Sequence, residues 1–191
     1  GGNALLDVAC GTGLHLKHLK DDFACMGVDA SKSMLKIARK NAPGVTFKEA
    51  DMAKLQLGKQ FDVIMCLLSS VGYVKTYASL KRTIQNFSNH LKKGGLALIE
   101  PSHAEAFYVA GEPRISVYDG KDAKIARVNV AKVKQSTAVL NMHILVAEKG
   151  KDAQYFVDMH ELGLFDVNRT LDIMKEAGLK AKYLKAGLMN G

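Results

Sequence analysis

Across its first hundred residues the chain alternates between short apolar runs and segments of helical period, and this alternation limits the fold more than any other feature. The run from Ala4 to Ala9 reads as a buried strand ending in Cys10-Gly11-Thr12-Gly13, with a short helix expected from Leu14 to Lys20. A second strand follows from Ala24 to Val28. Ser31 suits the cap of the next helix, whose apolar face is expected to use Met34, Ile37 and Ala38 before Ala42-Pro43 ends it. Val45 to Phe47 and Phe61 to Cys66 supply strands three and four. From Thr76 a longer helix carries Tyr77, Leu80, Ile84, Phe87 and Leu91 at spacings of three and four, and Lys93-Gly94-Gly95 is expected to stop it. Leu96 to Glu100 reads as strand five. Strands separated by amphipathic helices pack as a parallel sheet with helices on both faces, so an α/β, doubly wound, mostly parallel architecture is expected.

The pattern changes from Arg114 to about Phe165, where consecutive strands are separated by polar turns at Asp119-Gly120-Lys121, Lys134-Gln135-Ser136 and Lys149-Gly150-Lys151. Alternation at Val128, Val130 and Val133, and at Met142, Ile144 and Val146, suits strands with one wet face. An antiparallel insertion of three or four strands is the reading. A last helix should start near Asp166 or Asn168, pass through Leu171 and Met174, and end at Gly178, with a further strand over Leu179 to Leu184. One domain therefore divides into a core (1–101), an insertion (102–165) and a return to the core (166–191). Both ends look abrupt, so truncation at both termini is an expectation.

Composition narrows the class. The chain has 191 residues, 48% hydrophobic and 24% charged, which is enough to bury one core and excludes a disordered chain. No apolar stretch is long enough to cross a bilayer, and no signal segment opens the chain. Cys10, Cys25 and Cys66 lack C-x-x-C spacing, so neither a metal site nor a disulfide framework is expected. A cytoplasmic protein is the prior. The net charge of +8 fits either a lysine-rich solvated surface or attraction to an anionic partner, such as a nucleotide-bearing substrate or RNA. The basic residues are spread rather than clustered with aromatics, which weakens the nucleic-acid version.

Open parallel sheets bind ligands outside the carboxyl ends of their strands. Asp7-x-Ala9-x-Gly11-x-Gly13 falls there after strand one, including Cys10, and its glycines allow a tight turn and close approach to a ligand. Asp29, with Ala30 beside it, ends strand two at the place where an acid accepts both hydroxyls of a ribose. Asp51 and Met52 follow strand three, suited to an adenine amino group and a ring face. Cys66 opens the loop after strand four, which runs to Tyr73. The dinucleotide fingerprint needs a third glycine where this chain has Leu16, and no Gly-Lys-Ser/Thr follows the loop, so NAD and a Walker site are disfavoured. A nucleoside ligand without a pyrophosphate remains, and S-adenosylmethionine fits that description.

Leu5-Leu6-Asp7-Val8-Ala9-Cys10-Gly11-Thr12-Gly13 resembles motif I of class I S-adenosylmethionine-dependent methyltransferases, which have a Rossmann-like core. Asp29 matches their ribose-binding acid and Asp51-Met52 their adenine-contact pair. Met65 to Tyr73, Glu100-Pro101 and the antiparallel insertion are similar to the N,N-dimethyltransferases acting on nucleotide-linked amino sugars. His160-Glu161-Leu162 and the Gly187 to Gly191 turn are weaker echoes. Those relatives also carry an N-terminal helical segment and a final strand that this sequence does not show. The loop after strand four lacks the Asn/Asp-Pro-Pro-Tyr motif, which argues against DNA bases as acceptors.

The resemblance implies S-adenosylmethionine as cofactor and methyl transfer to a small-molecule acceptor, one that could carry negative charge. Amine methylation wants a base or carbonyl near the nucleophile. His103, His160 and Tyr73 are the candidate catalytic residues, with Glu100 and His143 behind them; His15, His18 and His90 sit on helices and read as inert. Tyr108 and Arg114 read as scaffold or as a grip on phosphate, and Met34 as core. Two alternatives stay open: a methyltransferase for protein or RNA, and a cofactor-binding module without catalysis. Exposed sheet edges on the insertion would allow a homodimer. No membrane partner is expected.

Overall fold

The computed structural model describes residues 3–101 and 110–184. The chain forms two compact units, Gly1–Pro101 with Asp166–Gly191, and Ser102–Phe165.

The first unit is built on five parallel strands: β1 (Ala4–Val8), β2 (Ala24–Asp29), β3 (Thr46–Glu49), β4 (Phe61–Cys66) and β5 (Leu91–Ile99). Their order is β3-β2-β1-β4-β5, so the chain runs outward from β1 in one direction and then returns to continue in the other. Helices α1 (Leu14–Leu19), α2 (Lys32–Asn41), α3 (Tyr77–His90) and α4 (Val167–Glu176) flank the sheet. Right-handed crossovers put α1 and α2 on the face opposite α3. Sheet parity agrees: Leu5, Cys25 and Val63 share one row and join the cluster around Leu16 and Leu35, whereas Leu6, Met26 and Ile64 share a row on the other face. Gly27 makes the first packing possible, because a Cβ there would lie 2.7 Å from Leu16 Cδ1 and from Phe47.

The helices start where capping chemistry allows. Ser31, Thr76 and Asp166 accept the backbone N–H of Met34, Ser79 and Arg169 at 3.3, 3.2 and 2.8 Å. Helix α2 buries Leu35 and Ala38, whereas Met34 and Ile37 are exposed, so its apolar face is rotated from the expected one. Helix α3 buries Leu80, Ile84 and Phe87 and ends at His90, whose buried ring accepts Leu57 N–H at 3.0 Å through Nε2. Leu91 is already strand, paired with Phe61, so Lys93-Gly94-Gly95 does not cap the helix. The glycines instead form a bulge between the Phe61–Leu91 and Val63–Leu96 pairs, with Gly94 at φ +81°. Helix α4 docks on α3 through Ser88 Oγ, which donates to Ala177 O at 2.7 Å, and through the Lys81–Glu176 ion pair.

The expected strand over Leu179 to Leu184 does not form. Leu179 N–H turns back to Met174 O at 3.0 Å to close the helix, and the alternating residues beyond pair with no strand edge among the described residues.

The second unit is a four-stranded antiparallel meander, β6 (Pro113–Asp119), β7 (Ala123–Lys134), β8 (Thr137–Glu148) and β9 (Gln154–Gly163), in that spatial order. One face carries the cluster of Ala131, Ala138, Leu140, Leu162 and Leu164 with Met142 against it. Val128 and Val130 lie on the other face and are exposed, because Asn129 and Ala131 take the buried positions of β7.

Candidate functional site

The strand order places a switch point at the carboxyl ends of β1 and β4, where two neighbouring loops leave in opposite directions. A cleft of about 970 Å³ opens there, walled by the segments that follow β1, β2, β3 and β4.

The loop after β1 holds an unusual backbone. Ala9, Gly11 and Gly13 all have positive φ, at 59°, 52° and 71°. Cys10 N–H donates to Val28 O at 3.0 Å, and Asn41 Nδ2 donates to Thr12 O at 2.9 Å, so the turn is tied to its neighbours on both sides. Ala9, Cys10 and Gly11 line the cleft, whereas Gly13 is not part of the wall. A Cβ on Gly13 would meet Ala38 Cβ at 3.0 Å, so this glycine lets the turn press against α2 from behind.

Asp29 braces the same turn. Its Oδ2 accepts Gly11 N–H and its Oδ1 accepts Ser31 N–H, both at 2.8 Å. Each carboxylate oxygen keeps capacity for a second donor, which is what a pair of vicinal hydroxyls requires. Ala30 continues the wall, and Met34, expected in the core, joins it. After β3, Asp51 Oδ1 accepts Ala53 N–H at 2.8 Å and starts a 3₁₀ turn over Met52–Lys54. Asn86 on α3 anchors that turn by donating to Met52 O at 3.0 Å, and both Asp51 and Met52 face the cleft.

Asp7 forms the floor. It is 1% exposed, its Oδ2 has no hydrogen-bond partner among the described residues, and it lines the cleft. Burial first, and the charge of Asp29 second, push its carboxyl up to about 7. The same burial, with the charges of Asp7 and Asp29, pushes the Cys10 thiol up to about 12, so Cys10 stays protonated and unreactive at neutral pH. An orphaned buried carboxylate beside a second acid is a receptor for a cation.

The fourth wall is the segment after β4. Leu68 and Ser69 take positive φ, 53° and 58°, before a 3₁₀ turn over Ser70–Val74. Glu100, at the end of β5, accepts Leu68 N–H at 2.7 Å, and Ser69 Oγ donates to Pro101 O at 3.2 Å. Glu100 therefore holds the loop rather than facing the cleft as an acid. Tyr73 lines the cleft and is half-exposed. Cys66 does not reach it: the side chain is fully buried in β4, and burial raises its thiol far above the usual range.

His15, read as inert, lines the cleft one turn beyond the glycine loop. Its position in the first turn of α1 was the available signal. His90 is structural, with Nδ1 against Asn86 O at 2.7 Å. His143 and His160 lie on the antiparallel unit, the first paired through Nδ1 with the Tyr155 hydroxyl, the second 3.0 Å from Asp158 through Nε2. His103, Tyr108 and the Gly187 to Gly191 turn lie outside the described residues.

The cleft thus presents an orphaned buried carboxylate at Asp7, a carboxylate with spare acceptor capacity on both oxygens at Asp29, and a third acid beside a methionine at Asp51-Met52. The "Methyltransferase domain" family model matches residues 5–95. The dTDP-3-amino-3,4,6-trideoxy-alpha-D-glucopyranose N,N-dimethyltransferase of Streptomyces venezuelae is 34% identical over 97% of this chain and 78% of its own length. The dTDP-4-amino-2,3,4,6-tetradeoxy-D-glucose N,N-dimethyltransferase of Saccharopolyspora spinosa is 32% identical over 98% of this chain and 75% of its own. The crystal structure of Streptomyces venezuelae DesVI superposes with a TM-score of 0.93 at 34% identity, over 97% of this chain and 79% of that one. S-adenosylmethionine-bound CalS10, an amino pentose methyltransferase from Micromonospora echinaspora, gives 0.88 at 26% identity, over 99% and 80%.

Proposed function

The chain belongs to the class I S-adenosylmethionine-dependent methyltransferases, and from that premise we propose that it methylates the amino group of a nucleotide-linked sugar. S-adenosylmethionine, when bound, supplies an electrophilic sulfonium methyl group for in-line displacement by the acceptor nitrogen.

The protein's own part is placement. Asp29 would hold the ribose hydroxyls, its carboxylate already aimed by Gly11 and Ser31. Asp51 and Met52, which line the cleft, would receive the adenine, and Asp7 on its floor would receive the cationic methionine end. Fixing the donor in this way supplies most of what an in-line transfer needs, since good orientation in such reactions is worth about 7–11 kcal/mol. Tyr73 is the described candidate for contact with the acceptor, and His103 and His160 remain candidates to take its proton.

The observation that carries the acceptor reading is the agreement of the two most complete sequence matches quoted above, both N,N-dimethyltransferases of dTDP-linked amino sugars. The antiparallel unit supports a negatively charged acceptor. A cavity of about 290 Å³ on its sheet is lined by Arg114 and Arg127 with Ser116 and Asn129. Neither guanidinium has an ion pair or hydrogen bond among the described residues, and Arg side chains on neighbouring strands suit phosphate oxygens.

Incubation with S-adenosylmethionine and a panel of nucleotide-linked amino sugars, free amino sugars, RNA and protein tests this. The expected result is stepwise gain of one and then two methyl groups on a nucleotide-linked amine alone. Methylation confined to RNA or protein refutes it.

A further inference from the structure

We propose that Asn86 and His90, in the last turns of α3, position the segment that carries Asp51 and so set which base the cofactor site accepts. The proposal rests on the placement of adenine at Asp51 and Met52. It adds two positioning residues that stand outside the cleft wall.

The segment that carries Asp51 has little to fix it from within. Residues 50–60, between β3 and β4, belong to no strand, and their regular structure is confined to the 3₁₀ turn Met52–Lys54. Asp51 starts that turn by accepting Ala53 N–H through Oδ1 at 2.8 Å, so the direction of its carboxylate follows the turn. Lys54 stands 4.0 Å from Oδ2, but its side chain is exposed and water screens the pair. The turn therefore needs a hold from elsewhere in the fold.

Helix α3 supplies that hold. Its body is fixed, with Leu80, Ile84 and Phe87 fully buried. Asn86 and His90 are four residues apart and so lie on one side of the helix. Asn86 Nδ2 donates to Met52 O at 3.0 Å, inside the 3₁₀ turn. His90 Nε2 accepts Leu57 N–H at 3.0 Å, further along the segment. Between these anchors the side chain of Leu55 is buried, which pins the segment a third time.

The two anchors act as one unit. Asn86 O can only accept, so His90 Nδ1 carries the proton shared across 2.7 Å, and Leu57 N–H can only donate, so Nε2 is bare. The residue that holds Met52 thus also orients the imidazole that holds Leu57. A carboxylate at the base site accepts from an exocyclic amino group and repels a carbonyl oxygen. That choice depends on where the acceptor stands, because hydrogen bonds need a separation of about 2.7–3.2 Å and good alignment. Base preference is therefore held by α3, although only Asp51 and Met52 line the cleft.

Calorimetric titration of the chain with S-adenosylhomocysteine and S-inosylhomocysteine tests the proposal. The second ligand carries a carbonyl oxygen in place of the adenine amino group. Wild type should prefer the first by about 10-fold or more. Asn86→Ala and His90→Phe should each weaken S-adenosylhomocysteine about 10-fold while changing S-inosylhomocysteine about threefold or less, so the preference falls. His90→Gln, whose amide oxygen replaces the acceptor for Leu57 N–H, should stay within about threefold of wild type for both. Gln85→Ala, on the exposed side of the same helix, should change neither. Alanine favours a helix interior, so Asn86→Ala keeps its fold, with circular dichroism as the check, and it decides alone should His90→Phe unfold. Equal losses for both ligands in Asn86→Ala would mark a purely structural role, and an unchanged preference would show Asp51 aimed without α3. Either result overturns the proposal, as does a His90→Gln that behaves like a folded His90→Phe. A wild type that binds both ligands alike refutes the adenine placement itself, and the proposal with it.

Discussion

Replacing Asp7 with Asn removes a charge that the fold resists and that, on the proposed reading, receives the cationic end of the cofactor, so stability and binding should move in opposite directions. The carboxyl is raised from 3.8 to about 7. The folded chain therefore holds this proton to higher pH than the unfolded chain does. Between those values the folded state binds more protons than the unfolded one, so stability contributed at low pH is lost as pH rises through about 7. A shift of about three units corresponds to about 4 kcal/mol in all, at about 1.4 kcal/mol per pH unit. Asp7→Asn keeps the shape and lacks this slope. Urea unfolding of both proteins from about pH 5 to pH 8 should give a difference that grows in favour of the variant by roughly 1.4 kcal/mol per unit and levels off above about pH 7. Calorimetric titration with S-adenosylmethionine should show the reverse order. Wild type binds more tightly as pH rises towards 7, because only the ionised carboxylate receives a cation, while the variant binds weakly and without that dependence. Parallel stability curves, or equal affinities at pH 8, would refute the assignment of Asp7 as a buried cation receptor.

Asp29→Ala should lower affinity for S-adenosylhomocysteine by about 10- to 100-fold, since on the proposed reading it removes charge-assisted hydrogen bonds to two ribose hydroxyls, and it frees Gly11 and Ser31. Because the charge of Asp29 helps raise Asp7, the same variant should also move the knee in the stability–pH curve to lower pH. Glu100→Ala should lower kcat for the amino-sugar substrate about tenfold or more while changing S-adenosylhomocysteine affinity little, because Glu100 restrains Leu68 rather than the donor. Equal losses in both measurements would place Glu100 at the cofactor instead.

The core was legible where local chemistry and topology agree. Ser31, Thr76 and Asp166 announce helix starts, and the run Phe61–Cys66 coincides with β4, because each depends on neighbours within a few residues. Three features were not legible for a common reason. Leu91 belongs to a strand because Phe61, thirty residues earlier, pairs with it, so the glycines that look like a helix stop become a bulge. Met34 lines the cleft because Leu35 and Ala38, not Met34 and Ile37, meet the sheet. Val128 and Val130 look like a core stripe, but Ala131 pairs with Leu140 and the parity of β7 follows that contact. Alternation reveals that a strand has two faces; only its partner decides which one is dry.

The same distinction explains the two acids that shape the cleft. Asp29 and Glu100 stand at the carboxyl ends of strands on opposite sides of β1, and each accepts a backbone N–H from a loop in left-handed conformation, 18 and 32 residues away in sequence. Such loops resist their own geometry, since Ala9, Leu68 and Ser69 occupy a region that side chains disfavour. A charged acceptor fixed on the rigid sheet offsets that strain, so the turn is held in its ligand-receiving form before any ligand arrives. In sequence, Asp29 reads as a candidate ribose acid and Glu100 only as an acid next to proline. In the fold they have one shared role, bracing the loops on either side of the floor that Asp7 provides. This explains why the turns that wall the cleft after β1 and β2 were legible in the sequence: a left-handed turn at a strand end calls for glycines and for an acid to brace it, whatever the acceptor is. The antiparallel unit faces no such backbone requirement, and its Arg114, Arg127 and Ser116 come together only through strand register.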